Sequence, residues 1–171
     1  AEFPQVIFVG EQFFPDPVNG GSRPGAVEML VAHEVAHQWW YGLVGINPHR
    51  DAFLDEGLAE YAAVLYFERR YGLEAAEAQM DQGVLLRYLT WLVNDRDHVA
   101  HQPTIAFPDA GAYYTMTYRK AALGFEALRE AMGDEAFFAA LQEIVATHRF
   151  GVLTPQEALA AFDDATDVDV A

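Results

Sequence analysis

The 171 residues predict a mainly helical fold with a small β-element at the start. Three observations carry this expectation. Apolar residues recur at helical spacing over most of the chain. Clusters of Gly and Pro punctuate those runs at intervals that suit ordinary globular helices. Only the opening run, residues 2–9 (EFPQVIFV), is β-branched and aromatic enough to read as a strand.

Each element follows from its own signals. Residues 10–23, rich in Gly, Pro, Asn and Asp, read as a loop. A first helix starts near Pro24 or Gly25 and runs to about Tyr41, where Gly42, Gly45 and Asn47-Pro48 end it. Asp51 stands as N-cap of a second helix that ends near Gly72, with Leu54, Leu58, Tyr61 and Leu65 as its apolar stripe. A third helix covers 74–94. Residues 95–112 hold Pro103, Pro108 and Gly111 and read as irregular. A fourth helix runs from Tyr114 to Met132, and Gly133-Asp134 separates it from a fifth that ends near His148. Thr154-Pro155-Gln156-Glu157 is a capping box with Pro at the first helical position, which opens a sixth. From Asp163 onward the chain is expected to fray.

Composition removes whole classes of function. The chain is 52% hydrophobic and 21% charged, in the globular range. With 26 acidic residues against 10 Lys and Arg, the net charge is -16, which repels phosphate backbones and excludes nucleic acid as the expected partner. No run reaches the roughly eighteen apolar residues of a membrane span. The chain has no cysteine, so disulfides, thiolate zinc sites and a cysteine nucleophile are excluded. Any metal must be held by imidazole and carboxylate. The expected location is cytoplasmic rather than secreted.

His33-Glu34-Val35-Ala36-His37 is H-E-x-x-H on a predicted helix. Positions i and i+4 share a face, so both imidazoles can reach one ion. Glu34 lies about 100° round from His33, beside the metal, where a base can take a proton from water. The helix is apolar around the motif (Leu30, Val31, Val35, Trp39, Trp40), and burying such polar groups there costs several kcal/mol unless a partner satisfies them. Glu56 follows His37 after eighteen intervening residues, a spacing at which the next helix returns beside the first. Imidazole and carboxylate ligation suits one Zn²⁺ per chain. Gly57 leaves room for close helix approach. Glu60, one turn beyond Glu56, is placed to accept the free N–H of a ligand histidine. The rival pattern H-E-x-x-H-x-x-G-x-x-H fails at Trp40 and Leu43, and His49 reads as a surface histidine.

HEVAHQWW followed at this spacing by LDEGLAEY resembles the gluzincin family of zinc aminopeptidases, which includes aminopeptidase N and leukotriene hydrolase. The resemblance implies His33, His37 and Glu56 as ligands and Glu34 as the base. It also implies a thermolysin-like metallopeptidase catalytic core. In that family the tyrosine of Y-x-K-G-A stabilises the tetrahedral intermediate, and Tyr118-Arg119-Lys120-Ala121-Ala122 matches except for Ala121 in place of Gly. A phenol near the metal is a suitable oxyanion donor, but the residues alone do not choose among Tyr113, Tyr114 and Tyr118. The resemblance selects Tyr118, with Tyr114 as alternate. Ala1-Glu2-Phe3-Pro4 resembles the end of the family's amine-binding motif, which makes Glu2 the residue expected to bind the substrate's α-amine.

The implied activity is removal of N-terminal residues from peptides. Rival readings are a zinc endopeptidase or non-peptidase hydrolase, and a non-catalytic zinc-binding module. Residues 1–171 are then the helical, C-terminal part of one catalytic domain, without the family's N-terminal β-domain and the domain's first part. A lone strand at 2–9 needs pairing partners, so a companion fragment of the same protein is expected beside the peptide substrate.

Overall fold

A computed structural model describes residues 2–14 and 25–170. The chain opens on a hairpin in which β1 (Glu2–Phe3) pairs antiparallel with β2 (Val6–Ile7), Glu2 opposite Ile7 and Phe3 opposite Val6. The expected strand over 2–9 is therefore folded back on itself. Pro4 presets the first turn position, and Gln5 takes the left-handed conformation (φ 69°) that the second demands. β2 supplies the partner that β1 needs, which corrects the expectation that pairing must come from elsewhere. The Gln38 side chain holds the hairpin to the body of the protein. Gln5 N–H donates to its Oε1 at 2.6 Å, and its Nε2 donates to the Phe3 carbonyl at 3.1 Å. After the hairpin comes a short 3₁₀ turn, Glu11–Phe13. Most of the expected loop over 10–23, and Pro24, lie outside the described residues.

Helix α1 (Ala26–Ala36) ends earlier than the sequence predicts. His37 is its C-cap, and the chain then turns sharply. Gly42 N–H bonds the His37 carbonyl at 2.8 Å, and a Cβ at Gly42 would stand 2.9 Å from that oxygen. A residue without a side chain is what allows this turn. α2 (Ala52–Tyr71) has the expected bounds and lies at the centre of the fold, between α1 on one side and α6 (Ala121–Met132) on the other. Leu54, Leu58 and Tyr61 are buried as predicted, and Val64 and Phe67 join them while Leu65 is half-buried. Asp51 does hold the N-cap position, but its carboxylate meets His101 at 3.3 Å instead of capping the helix.

The third predicted helix is realised as α3 (Leu73–Gln79), a π-helical segment Met80–Leu85 and α4 (Leu86–Leu92). The fourth starts earlier than predicted, at α5 (Ala110–Tyr114), because Asp109 caps it by accepting from Ala112 N–H at 2.8 Å. A second π-helical segment, Thr115–Lys120, joins α5 to α6. α7 (Asp134–His148) and α8 (Pro155–Asp164) match the prediction, and α8 carries the complete capping box. One apolar core runs through α1, α2, α6, α7 and α8 and includes Phe137, Ile144 and Phe162. A smaller cluster of Phe107, Ala112 and Met116 seats the π-helical turn from its other side. Among the described residues no helix is long and apolar enough to cross a membrane.

Gly57 and Ala121 set how close α2 comes to α6. A Cβ at Gly57 would lie 2.5 Å from the Ala121 Cβ and 3.1 Å from Phe125 Cε2. The close approach that Gly57 permits is thus to α6, not to α1, and Ala121 is accommodated because the facing position has no side chain. Gly57→Ala is expected to destabilise the protein by about 1–3 kcal/mol through overpacking. At an open helix position the same change would stabilise by up to about 1 kcal/mol. Chemical denaturation decides the sign, and adding Ala121→Gly should restore most of the loss. A stabilising Gly57→Ala would show that the helices separate freely here.

Candidate metal centre

α1 and α2 bring three donor atoms to one point. His33 Nε2 and His37 Nε2 are 3.1 Å apart. Glu56 Oε2 lies 3.3 Å from the first and 3.2 Å from the second. This group can hold a metal ion. His33 and His37 are buried, and Glu56 Oε2 is buried without a well-formed hydrogen bond from either ring. The two Nε2 atoms can share one hydrogen at most, which leaves the Glu56 oxygen unserved, so three donor atoms crowded this closely suit a shared cation better than a hydrogen-bond network.

The tautomer of His37 follows from its neighbours. Its Nδ1 lies 3.1 Å from the Trp40 carbonyl oxygen and 3.0 Å from Asp55 Oδ1. A carbonyl oxygen can only accept, so Nδ1 carries the hydrogen and Nε2 keeps its lone pair for a metal. Glu60 Oε2 stands 3.1 Å from His33 Nδ1, at ion-pair distance though off the direction of a well-formed hydrogen bond. Glu60 is thus within ion-pair reach of His33, without the hydrogen bond that the sequence leads one to expect of it. Sequence reasoning missed Asp55, which is 2% exposed. An acid in the first turn of a helix is common enough, through the helix dipole, to carry no signal of its own. The available cue was its place in a helix face otherwise buried and apolar, between Leu54 and Leu58.

The site favours positive charge. Burial alone would lower both imidazole pKa values, but the close carboxylates of Glu56 and Glu60 raise that of His33, and those of Asp55 and Glu56 raise that of His37. For Glu56, burial pushes the carboxyl upward, yet its contacts with His33, His37 and Tyr118 bring it down to about 2. Carboxylates arranged to stabilise a proton on each ring will stabilise a divalent cation between them for the same reason.

Tyr118 lies against the metal group. Its ring stacks on His33, with centroids 5.4 Å apart and planes at 13°, and the Glu56 carboxylate lies close enough to act on its hydroxyl. Burial, reinforced by the Glu56 charge, holds the phenol well above the ordinary tyrosine range, so it keeps its hydrogen. Tyr114 is half exposed, packs on Tyr118 at 5.2 Å and lines the same cavity. The wide π-helical turn from Thr115 to Lys120 carries Tyr118 into this position, and such turns are frequent at functional sites. Glu34, also buried, lines the cavity of about 570 Å³ together with His33, Glu56, Glu60 and Tyr118. Glu2 opens β1, and its side chain lies outside the described part of the chain. His49 is exposed and stands outside the metal group, as expected.

Two helices that present a paired-histidine motif, an adjacent glutamate and a third carboxylate to one point define a metallopeptidase domain of the H-E-x-x-H class. The chain belongs to peptidase family M1, whose domain matches residues 5–171. It is similar to an M1 zinc metallopeptidase of Deinococcus radiodurans bound to a Tyr-Ser-Ala substrate, with 26% identity and a TM-score of 0.66 over 84% of this chain and 31% of that one. It is 26% identical to glutamyl aminopeptidase of Bos taurus over 160 residues, 89% of this chain and 16% of the relative. It is 28% identical to aminopeptidase N of Lactobacillus delbrueckii subsp. lactis over 148 residues, 84% of this chain and 17% of the relative. The chain thus spans about a sixth of the length of these two relatives. Zinc is the metal of the family's structurally similar members, and His33, His37 and Glu56 are the residues here that can hold it.

Proposed function

We propose that this chain carries the catalytic centre of a zinc aminopeptidase that removes N-terminal residues from peptides. One observation carries the reading: His33, His37 and Glu56 converge to within 3.3 Å in a cavity that Glu34 and Tyr118 also line. Zinc held there supplies acidification of water and polarisation of the scissile carbonyl. Glu34 takes the proton of the attacking water and passes it to the leaving amine. Tyr118, kept protonated by burial and by Glu56, donates its hydroxyl hydrogen to the developing oxyanion. Asp55 and the Trp40 carbonyl hold the His37 ring in its metal-binding tautomer, and the Glu60 carboxylate faces His33 Nδ1 at 3.1 Å, placed to favour a hydrogen on that nitrogen. Glu2, at the start of the hairpin, is the proposed anchor for the substrate's α-amine. The aminopeptidases among the relatives support the exopeptidase form of the reading.

A panel of aminoacyl substrates with free and with blocked N-termini tests it, run on zinc-loaded protein. Free amines should be cleaved far faster, and equal cleavage of blocked peptides would point to an endopeptidase. Tyr118→Phe separates catalysis from binding within this scheme. A donor used only in the transition state contributes to kcat, and losing one costs about 10²–10³ in rate. The expected result is therefore a kcat lowered by that factor with KM nearly unchanged. A raised KM with unchanged kcat would make Tyr118 a ground-state binding residue only.

A further inference from the structure

The cavity beside the metal group has a cationic wall that the scheme above does not use. Arg119 follows Tyr118 on the π-helical turn and lines the cavity with Glu34, Glu56 and Glu60. Its side chain is half-buried, and its Nε is buried with no hydrogen-bond partner. Among the described residues no carboxylate forms an ion pair with it. Glu60 attracts it from a distance, but the Glu60 Oε2 atom faces His33 Nδ1 at 3.1 Å. Arg87 repels it.

Among the described residues Arg119 is the one arginine with a buried nitrogen that lacks a partner, in a chain with 26 acidic residues and 10 basic ones. Arg96 pairs with Asp109 at 2.6 Å, Lys120 with Asp97 at 2.9 Å, and Arg129 with Glu68 at 2.6 Å and Asp134 at 2.8 Å. Where carboxylates are this abundant, a partly desolvated guanidinium without one is costly unless an acceptor arrives with the ligand. A guanidinium fork matches a carboxylate in geometry and charge better than it matches a neutral amide.

We propose that Arg119 is a specificity-determining residue that binds a carboxylate of the peptide substrate. The carboxylate is either the C-terminus of a short peptide or an acidic side chain. The proposal rests on the peptidase reading of the cavity. Binding is measured by calorimetry on zinc-loaded Glu34→Gln protein, so that affinity is read without turnover. One arm compares Ala-Ala-Ala with its C-terminal amide. The other compares the amides of Glu-Ala-Ala and Gln-Ala-Ala. In at least one arm the carboxylate form should bind more tightly. Arg119→Gln should reduce that preference by about tenfold to a hundredfold, the range for a charged hydrogen-bonded pair. Arg119→Lys, which keeps the charge and loses the fork, should retain part of it. The arm that responds identifies the source of the carboxylate. Thermal unfolding of each variant shows that the fold is intact. A preference that is absent from the start, or that survives Arg119→Gln, overturns the proposal. Failure of every peptide to bind would instead overturn the peptidase reading, and this proposal with it.

Discussion

Glu34→Gln is expected to keep the zinc content of the unchanged protein and to lose almost all turnover. The amide has the size and shape of the carboxylate, so the buried position beside His33 is filled as before. What disappears is the capacity to accept a proton. General-base catalysis contributes typically about 10²–10⁴ to rate, and Glu34 would serve twice, first toward water and then toward the leaving amine. The loss should therefore reach the upper part of that range and appear in kcat. Metal analysis and steady-state kinetics on the same preparation check both halves. Near-normal turnover would show that the base lies elsewhere, and loss of zinc would make Glu34 a ligand.

Glu56→Ala is expected to lose the metal itself. Glu56 is the only carboxylate oxygen within 3.3 Å of both imidazole Nε2 atoms, among the described residues. Removing a partner outside the ligand set typically costs about 10–100-fold in metal affinity, and removing a ligand should cost more. Activity should fall with occupancy and return partly at high zinc concentration. The pH dependence provides a second reading of the same variant. Zinc must displace protons from His33 and His37, whose pKa values the surrounding carboxylates raise, so affinity should increase as pH rises through their titration. Without Glu56 both values fall, and the increase should move to lower pH. Competition with a chromophoric chelator across pH measures both effects. Unchanged zinc affinity in Glu56→Ala would remove it from the ligand set.

Much of the centre was legible in the sequence, because the relevant geometry is local. Two histidines four apart on a helix must share a face, and neither the early end of α1 at Ala36 nor the turn after it changes that. Glu56 was found through its spacing, which sets the length of the connection between α1 and α2. The capping box of α8 was also readable, since all its partners lie within one turn. The hairpin was missed because two residues per strand are too few to show alternation, and the turn at Pro4 and Gln5 lies inside an otherwise strand-like run.

The sequence by itself determined that the chain is mainly helical, that it carries an imidazole and carboxylate site, and which helix holds the two histidines. Only the tertiary structure showed which tyrosine packs on the metal group, because Tyr113 and Tyr114 end α5 whereas Tyr118 is carried onto His33 by the π-helical turn that follows. It alone decided that Asp55 orients His37, that Gly57 makes room for Ala121, and that Arg119 faces the cavity without a described ion-pair partner. The division has one physical cause. Helical periodicity fixes relations within a few residues of chain, whereas contacts between α2 and the 115–120 turn arise from packing, which no short stretch of sequence encodes.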